Sequence, residues 1–491
     1  MILQRRHVLA GFAALTLMAL WFADLGAMRP DPWMTLRAIG QGILHPDFSD
    51  IAGLLRATGL TVAFAFCGVG LGAVLGLLLA PFYGRAAVRL TCIAVRSVHE
   101  LFWALLLLGL TGLSPLTGVL AIGLPYAGIF AKVFSEYLED AAASAPLSRR
   151  LPRLTALLWV RLPQALPQMR TYTLYRLECG LRSSAVLGFI GLPTLGFQLE
   201  TAFKQAQYGQ AAAVLALFLA LILPLRFWVI WRLVPLMLAA SATALIWLPT
   251  PPMGQGALMR FLTGIVPSPL RTGADWGGWL DKVLLQQALP GSIDTLILSQ
   301  IALAAAALIA AVAFPAIVPR VVGRAGAVIG HGVLVVLRSI PDYMLAFVLL
   351  QVLGPSMLPA ILALGLHNGA IIAHLLGRQA ASLPQRTGAP RGVTLWAWDL
   401  FPRLSPAFWA LCLYRWEIIL RDSAIMGLLG IGTLGFYIQS NVQTLRMDRV
   451  VALLVVSALL TLLIDTLSRR LRRAMRDGPP LRIEASRCLA T

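Results

Sequence analysis

The chain is short of charge, and the charge it has is one-sided. Of 491 residues only 12% are charged against 58% hydrophobic, with 40 basic and 21 acidic residues. That balance lies far outside a soluble globular domain. Lysine is almost absent, with Lys132, Lys204 and Lys282 the only three. None is preceded by Gly or followed by Ser or Thr, which excludes a phosphate-cradling P-loop of the GxxxxGK[ST] kind. HExxH, GxSxG and a GxGxxG between strand and helix are also missing, so no catalytic residue is assigned. Cysteine is scarce: Cys67, Cys92, Cys179, Cys412 and Cys488 are odd in number and lack CxxC spacing. A disulfide framework and a zinc site are excluded on that spacing. His367 and His374 share an apolar stretch with no carboxylate at ligand spacing, which favours packed or pore-facing histidines over a metal site.

What remains is apolar length. Mean hydropathy is +0.80, and several runs reach the roughly 20 residues that cross a hydrocarbon core as helix. Period-2 barrel segments are absent, so the chain reads as an all-α integral membrane protein. The net charge of +19 does not signal nucleic acid, because the arginines punctuate apolar spans instead of interleaving with exposed aromatics. They follow the positive-inside pattern.

About twelve transmembrane helices are expected, near 8–27, 57–80, 97–113, 117–138, 183–200 and 209–226, then 233–249, 293–318, 339–353, 358–377, 422–440 and 450–468. The basic start and apolar run of 1–27 resemble a signal peptide without a convincing cleavage site, and are read as a retained span. With the N-terminus inside, Arg85, Arg89, Arg153, Arg161, Arg320, Arg324 and the basic tail 469–491 fall on the cytoplasmic side, as does the C-terminus. The outer loops are poorer in arginine.

The chain repeats itself. "RSVHELFWALLLL" at Arg96 aligns with "RSIPDYMLAFVLL" at Arg338, an offset of 242. "YRLECGLRSSAVLGFIGLPTLGFQL" at Tyr175 aligns with "YRWEIILRDSAIMGLLGIGTLGFYI" at Tyr414, an offset of 239. The units are 1–232 and 233–491. Six spans is an even number, so the two six-helix repeats enter the membrane in parallel, related by an axis along its normal, with a cavity expected between them.

Each unit has one long cytoplasmic loop, about 139–172 and about 378–411, with a basic amphipathic stretch ending in a proline pair, Pro163 and Pro167 or Pro402 and Pro406. An amphipathic helix stopped by proline fits both. Such a helix serves either as a lipid-surface segment or as a docking element for a cytoplasmic partner.

The charges ahead of the glycines stand at i, i+4: Glu178 with Arg182, Glu417 with Arg421. Each pair is set to neutralise itself on one helix face near the cytoplasmic end of a span. Anchoring the helix and gating a path are the two readings. Gly188, Gly191 and Gly196 follow in the first copy, and Gly427, Gly430, Gly432 and Gly435 in the second. Small residues there allow close helix packing, and Pro193 or Gly432 weakens the helix, which suits a cavity wall better than a lipid face. Glu100 and Asp342 match each other after Arg96 and Arg338, with i, i+4 pairing the simple role.

Together these residues resemble the membrane permeases of phosphonate-type ABC importers. The YRxExxxR run with GTLGF or PTLGF, each after a proline-ended loop, carries the resemblance over about 55–235 and 293–475. It implies two permease units fused in one chain with type I importer architecture. A cytoplasmic ABC ATPase dimer would use ATP and Mg, which this chain does not bind. A periplasmic or extracellular solute-binding protein would deliver a phosphonate, phosphate or phosphite across the inner (cytoplasmic) membrane. The loops would be coupling segments. Gly388 and Pro402 match the expected Gly and Pro in the second unit; Leu162 and Pro163 match in the first, where Arg149 replaces the Gly. A fused permease for another solute, such as ferric ion or thiamine, and a proton-coupled secondary carrier are the rival readings.

Overall fold

The computed structural model describes residues 5–26, 29–144, 151–252, 254–273, 275–386 and 388–474. Among the described residues every regular element is helical. The helices used below are α1 (Arg5–Phe22), α2 (Ile51–Leu79), α3 (Ala86–Ser97), α4 (Glu100–Thr111), α5 (Pro115–Ser144), α6 (Leu162–Val186), α7 (Leu195–Lys204), α8 (Tyr208–Ile222), α9 (Val234–Ile246), α10 (Leu289–Ala313), α11 (Pro319–Ser339), α12 (Asp342–Leu353), α13 (Met357–Ser382), α14 (Phe401–Ile425), α15 (Leu434–Gln443) and α16 (Met447–Ala474).

Among the described residues six helices are long and apolar enough to cross a membrane, or up to nine when each of three bent pairs counts as one span. The expected span 97–113 is in fact the 12-residue α4, about 18 Å long at 1.5 Å per residue. It meets α3 at 93°. The expected spans 183–200 and 422–440 are each broken in the middle, at bends of 47° and 46°. The sequence places 319–338 between spans, yet it forms the apolar helix α11. Its arginines interrupt the hydropathy, and Gly323, at φ of +77°, kinks the helix one turn after its start.

The proline pairs do not stop their helices. Short helices Arg153–Ala156 and Gly392–Leu395 pass through π-helical turns, Leu157–Arg161 and Trp396–Leu400, straight into α6 and α14. Pro163 and Pro402 lie in the first turn, where a missing amide donor costs little. The wider π turn ahead of each proline makes room for a ring that clashes with the carbonyl four residues back in an α-helix. A third π turn, Asp281–Ala288, likewise precedes Pro290.

The chain divides into two compact units, Met1–Gly40 with Val266–Leu481, and Gln41–Ile265. The boundary expected at 232 is not where the compact units divide, which is at Gly40 and Ile265. In the first of them α1 packs on α10. Gln300 Nε2 donates to Thr16 Oγ1 at 2.9 Å, and Phe12 meets Trp409 edge-on at 5.9 Å. In the other unit α9 packs on α2. The first helix of each repeat thus lies on the core of the other.

At the heart of one unit α2 lies along α5, with Gly68, Gly72 and Gly76 against Ile122, Tyr126 and Phe130. In the other, α10 lies along α13, and there the glycines are on the later helix, Gly365, Gly369 and Gly377. Contact without a side chain between the backbones is how helices associate where lipid removes the hydrophobic drive.

Candidate functional site

The repeated glycine segment forms a broken helix in both units. α6 tightens into a 3₁₀ turn at Leu187–Ile190, Gly191 takes φ of +99°, and α7 starts at Leu195. α14 tightens at Met426–Leu429, Gly430 takes φ of +91°, and α15 starts at Leu434. Positive φ at both turns is what selects glycine there.

The polar groups exposed by the break are repaid identically. Thr194 Oγ1 donates to the Ala185 carbonyl at 3.3 Å, and Thr433 Oγ1 to the Ala424 carbonyl at 3.0 Å. The amide of Leu195 donates to Thr61 Oγ1 at 3.0 Å, and that of Leu434 to Thr295 Oγ1 at 3.2 Å. The remaining glycines are set by backbone proximity. A Cβ on Gly196 or Gly435 would collide with the carbonyl of Ala185 or Ala424, and one on Gly188 or Gly427 with the amide of Phe197 or Phe436. They serve the crossing of the helix with its own continuation, rather than the packing of one span on another. Pro193 lies in the extended link before α7, where it weakens no helix.

Thr61 and Thr295 were not among the expected site residues. The available signal was a hydroxyl at matching places in two apolar runs, "GLTVAFAF" and "IDTLILSQ".

The charged residues ahead of the break differ between copies. In α6, Arg182 Nη2 donates to Glu178 Oε1, with both side chains about one-fifth exposed at 19% and 20%. Arg176 lies over the rings of Tyr172 at 5.3 Å, Tyr175 at 5.6 Å and Tyr126 at 5.8 Å, positions in which the aromatic faces attract a cation. Ser183 donates to Glu100 Oε1 at 2.6 Å, which ties α4 to α6. In α14 the residue matching Ser183 is Asp422, 4.0 Å from Arg421. Arg472 of α16 reaches over Tyr414 at 5.7 Å, and Glu417 acts on it electrostatically. Arg415 donates to Asn368 at 3.4 Å.

Glu178 lies eight residues before the end of α6 and sixteen after its start, roughly 12 Å and 24 Å. The pair therefore stands closer to the break than to the proline end, because α6 begins well before the expected span.

Arg149 lies outside the described residues. Leu162 and Pro163, and Pro402, stand in the first turn of α6 and α14, and Pro167 and Pro406 lie inside those helices in the second. Gly388 has φ of +76°. Beside them two tryptophans at matching positions are displayed to the surroundings, Trp159 at 78% and Trp398 at 80% exposure. Asp399 is held by Arg403 at 3.2 Å and Arg386 at 3.5 Å, with no acid at the matching Val160. Among the described residues no three His, Cys, Asp or Glu side chains gather as a metal site.

No family model matches the chain, and no solved structure does. Curated relatives do match. A phosphite transport system permease of Stutzerimonas stutzeri is 28% identical over 247 residues, 90% of its own length but 45% of this chain. A phosphate-import permease of Mycolicibacterium smegmatis is 26% identical over 476 residues, 89% of this chain and 88% of its own. A putative cryptic phosphonate transport system permease of Escherichia coli is 30% identical over 113 residues, 92% of its length and 22% of this chain. The chain belongs to the membrane permeases of phosphonate-type ABC importers.

A relative matched over nearly all its length covers under half of this permease, while another matches almost end to end. Two permease units are fused here. The permease is a multi-pass membrane protein and not itself an enzyme; ATP hydrolysis belongs to a separate subunit of the import system, and a binding protein is its other general partner. The secondary-carrier reading falls with that membership.

Proposed function

We propose that this permease carries phosphonate or a related phosphorus oxyanion, phosphate or phosphite, inward across the inner membrane. The supporting observation is the end-to-end similarity to a relative described as a phosphate-import permease. In this reading a periplasmic or extracellular binding protein delivers the solute. A cytoplasmic ATPase dimer binds ATP and Mg and drives the cycle.

Twelve spans in two parallel repeats of six, with both termini cytoplasmic and type I importer architecture, fit the helices. The nine spans that include bent pairs are joined by Leu9–Phe22, Tyr208–Ile222 and Trp231–Ile246, with α12 as the second limb of α11. The π-turn segments are the ATPase-coupling elements, where Leu162, Pro163, Pro167, Gly388, Pro402 and Pro406 fix the backbone and Trp159 and Trp398 supply apolar anchors. Arg149 belongs to the same loop. The broken helices line the path. Bent backbone at membrane depth is tolerated where it borders protein or a water-filled cavity. Glu178 with Arg182, and Glu417 with Arg421, stand one or two turns before each break, positioned to couple its movement to the charged rim.

The test is the ligand of the cognate binding protein. Binding of phosphite, phosphate or methylphosphonate in preference to ferric ion or thiamine supports the reading; the reverse preference assigns the permease to another solute.

A further inference from the structure

The two repeats differ at the link of the broken helix, at the end of α14 opposite its π turn. In the unit containing α13 this link borders an open cavity of about 250 Å³, room for roughly eight water molecules. Two carboxylates face it, Asp24 just after α1 and Asp294 in α10. Asp294 aims at the link, since a Cβ on Gly432 would lie 2.9 Å from its Oδ2. Asp24 is within electrostatic reach of it. Among the described residues neither carboxylate has a hydrogen bond or ion pair.

The hydroxyl of Ser356 lines the same cavity. The residue is 3% exposed, and among the described residues its Oγ has no hydrogen-bond partner. A buried hydroxyl left unpaired costs free energy, and such exceptions ask for a reason. The other repeat supplies the contrast. Its matching serine, Ser114, lies 3.1 Å from Thr117 Oγ1. At the position of Thr117 this repeat has Pro359, which brings no hydroxyl. Leu60 stands where Asp294 is, preceding Thr61 as Asp294 precedes Thr295, and Pro193 stands where Gly432 is. One copy thus has a carboxylate at Asp294, an unpaired hydroxyl and a side-chain-free floor where the other has Leu60, a paired serine and Pro193.

We propose that this cavity binds an alkylammonium group. The carboxylates balance its charge, Ser356 Oγ accepts one N–H, and Phe22 and Ile431 flank the stem, the division of labour that long cationic side chains favour. A calcium ion demands six to eight oxygen ligands, more than the five oxygens of two carboxylates and one hydroxyl. The ammonium comes either from a lysine of a docking protein or from an amino-bearing solute. The site takes the ammonium end of its ligand and not an oxyanion, because a carboxylate pair repels an anion.

The test is calorimetric titration of the full chain in lipid nanodiscs with n-butylammonium. Saturable binding is expected, weakened about tenfold or more in Asp294→Asn and in Asp294→Leu, the latter importing the residue of the other repeat. Nα-acetyl-lysine amide and 3-aminopropylphosphonate separate the sources, tighter binding of the first assigning a protein lysine and of the second a solute. Only that last arm leans on the proposed substrate class. Butylammonium binding unchanged in both variants, no saturable binding at all, or saturable binding of Ca²⁺ without butylammonium overturns the proposal.

Discussion

The backbone amide of Leu195 donates to the hydroxyl of Thr61 at 3.0 Å, across 134 residues of sequence. The link matters because Leu195 opens α7, and a helix start leaves amides without partners. Thr61 supplies one from a neighbouring helix, so the position of the break is held by α2. Thr295 does the same for Leu434 at 3.2 Å.

Replacing Thr61 by Val removes that acceptor while keeping the shape. The buried amide is then unsatisfied, at a cost of about 1–3 kcal/mol. Thermal unfolding in nanodiscs is expected to shift down for Thr61→Val and Thr295→Val, and to recover in Thr61→Ser. Unchanged melting in both valine variants would show that the break does not depend on these hydroxyls.

Gly196→Ala and Gly435→Ala set a methyl against a backbone carbonyl that has no room to retreat. Both are expected to lose folded protein on size-exclusion chromatography. Gly432→Ala meets only the carboxylate of Asp294, a flexible neighbour, and is expected to fold.

Glu178→Gln leaves Arg182 without its carboxylate in a site only about one-fifth exposed. A loss of about 2 kcal/mol is expected, partly restored in Glu178→Gln/Arg182→Gln. If the pair is an anchor alone, ATP hydrolysis by the assembled importer stays coupled to uptake in the double variant. A gate role predicts hydrolysis without uptake.

Trp159→Ala and Trp398→Ala remove large, exposed rings from the π-turn segments. Folding is expected to be unaffected. Capture of the ATPase subunit should fall about tenfold or more, the size typical of a central aromatic anchor. Retention of the ATPase at wild-type levels by Trp159→Ala/Trp398→Ala would place the docking surface elsewhere.

The helical membrane class, the repeat and the family could all be read from the sequence, because apolar length, matched offsets and the YRxExxxR run are properties of consecutive residues. A weakened helix was legible from the glycines and Pro193, but where the break at Leu187–Leu195 falls was not. Its residues are as apolar as those of a continuous span, and the deciding contacts, from Gly196 to Ala185 and from Leu195 to Thr61, depend on the bend they create. The prolines misled for a related reason. Pro163 reads as a stop, and only the π turn at Leu157–Arg161 shows how the helix continues. The exchange of α1 and α9 between cores left no mark either, since a span's partner is chosen by shape and not by hydropathy. At Asp294 the divergence was visible in the alignment of the repeats, but its meaning needed Ser356 and Gly432 beside it.

The measurement that bears most directly on the whole account is uptake into vesicles holding this permease with its ATPase and binding protein. The account predicts that accumulation of phosphite or methylphosphonate requires ATP and the binding protein and survives collapse of the proton gradient. Accumulation that follows the proton gradient and ignores ATP would contradict it.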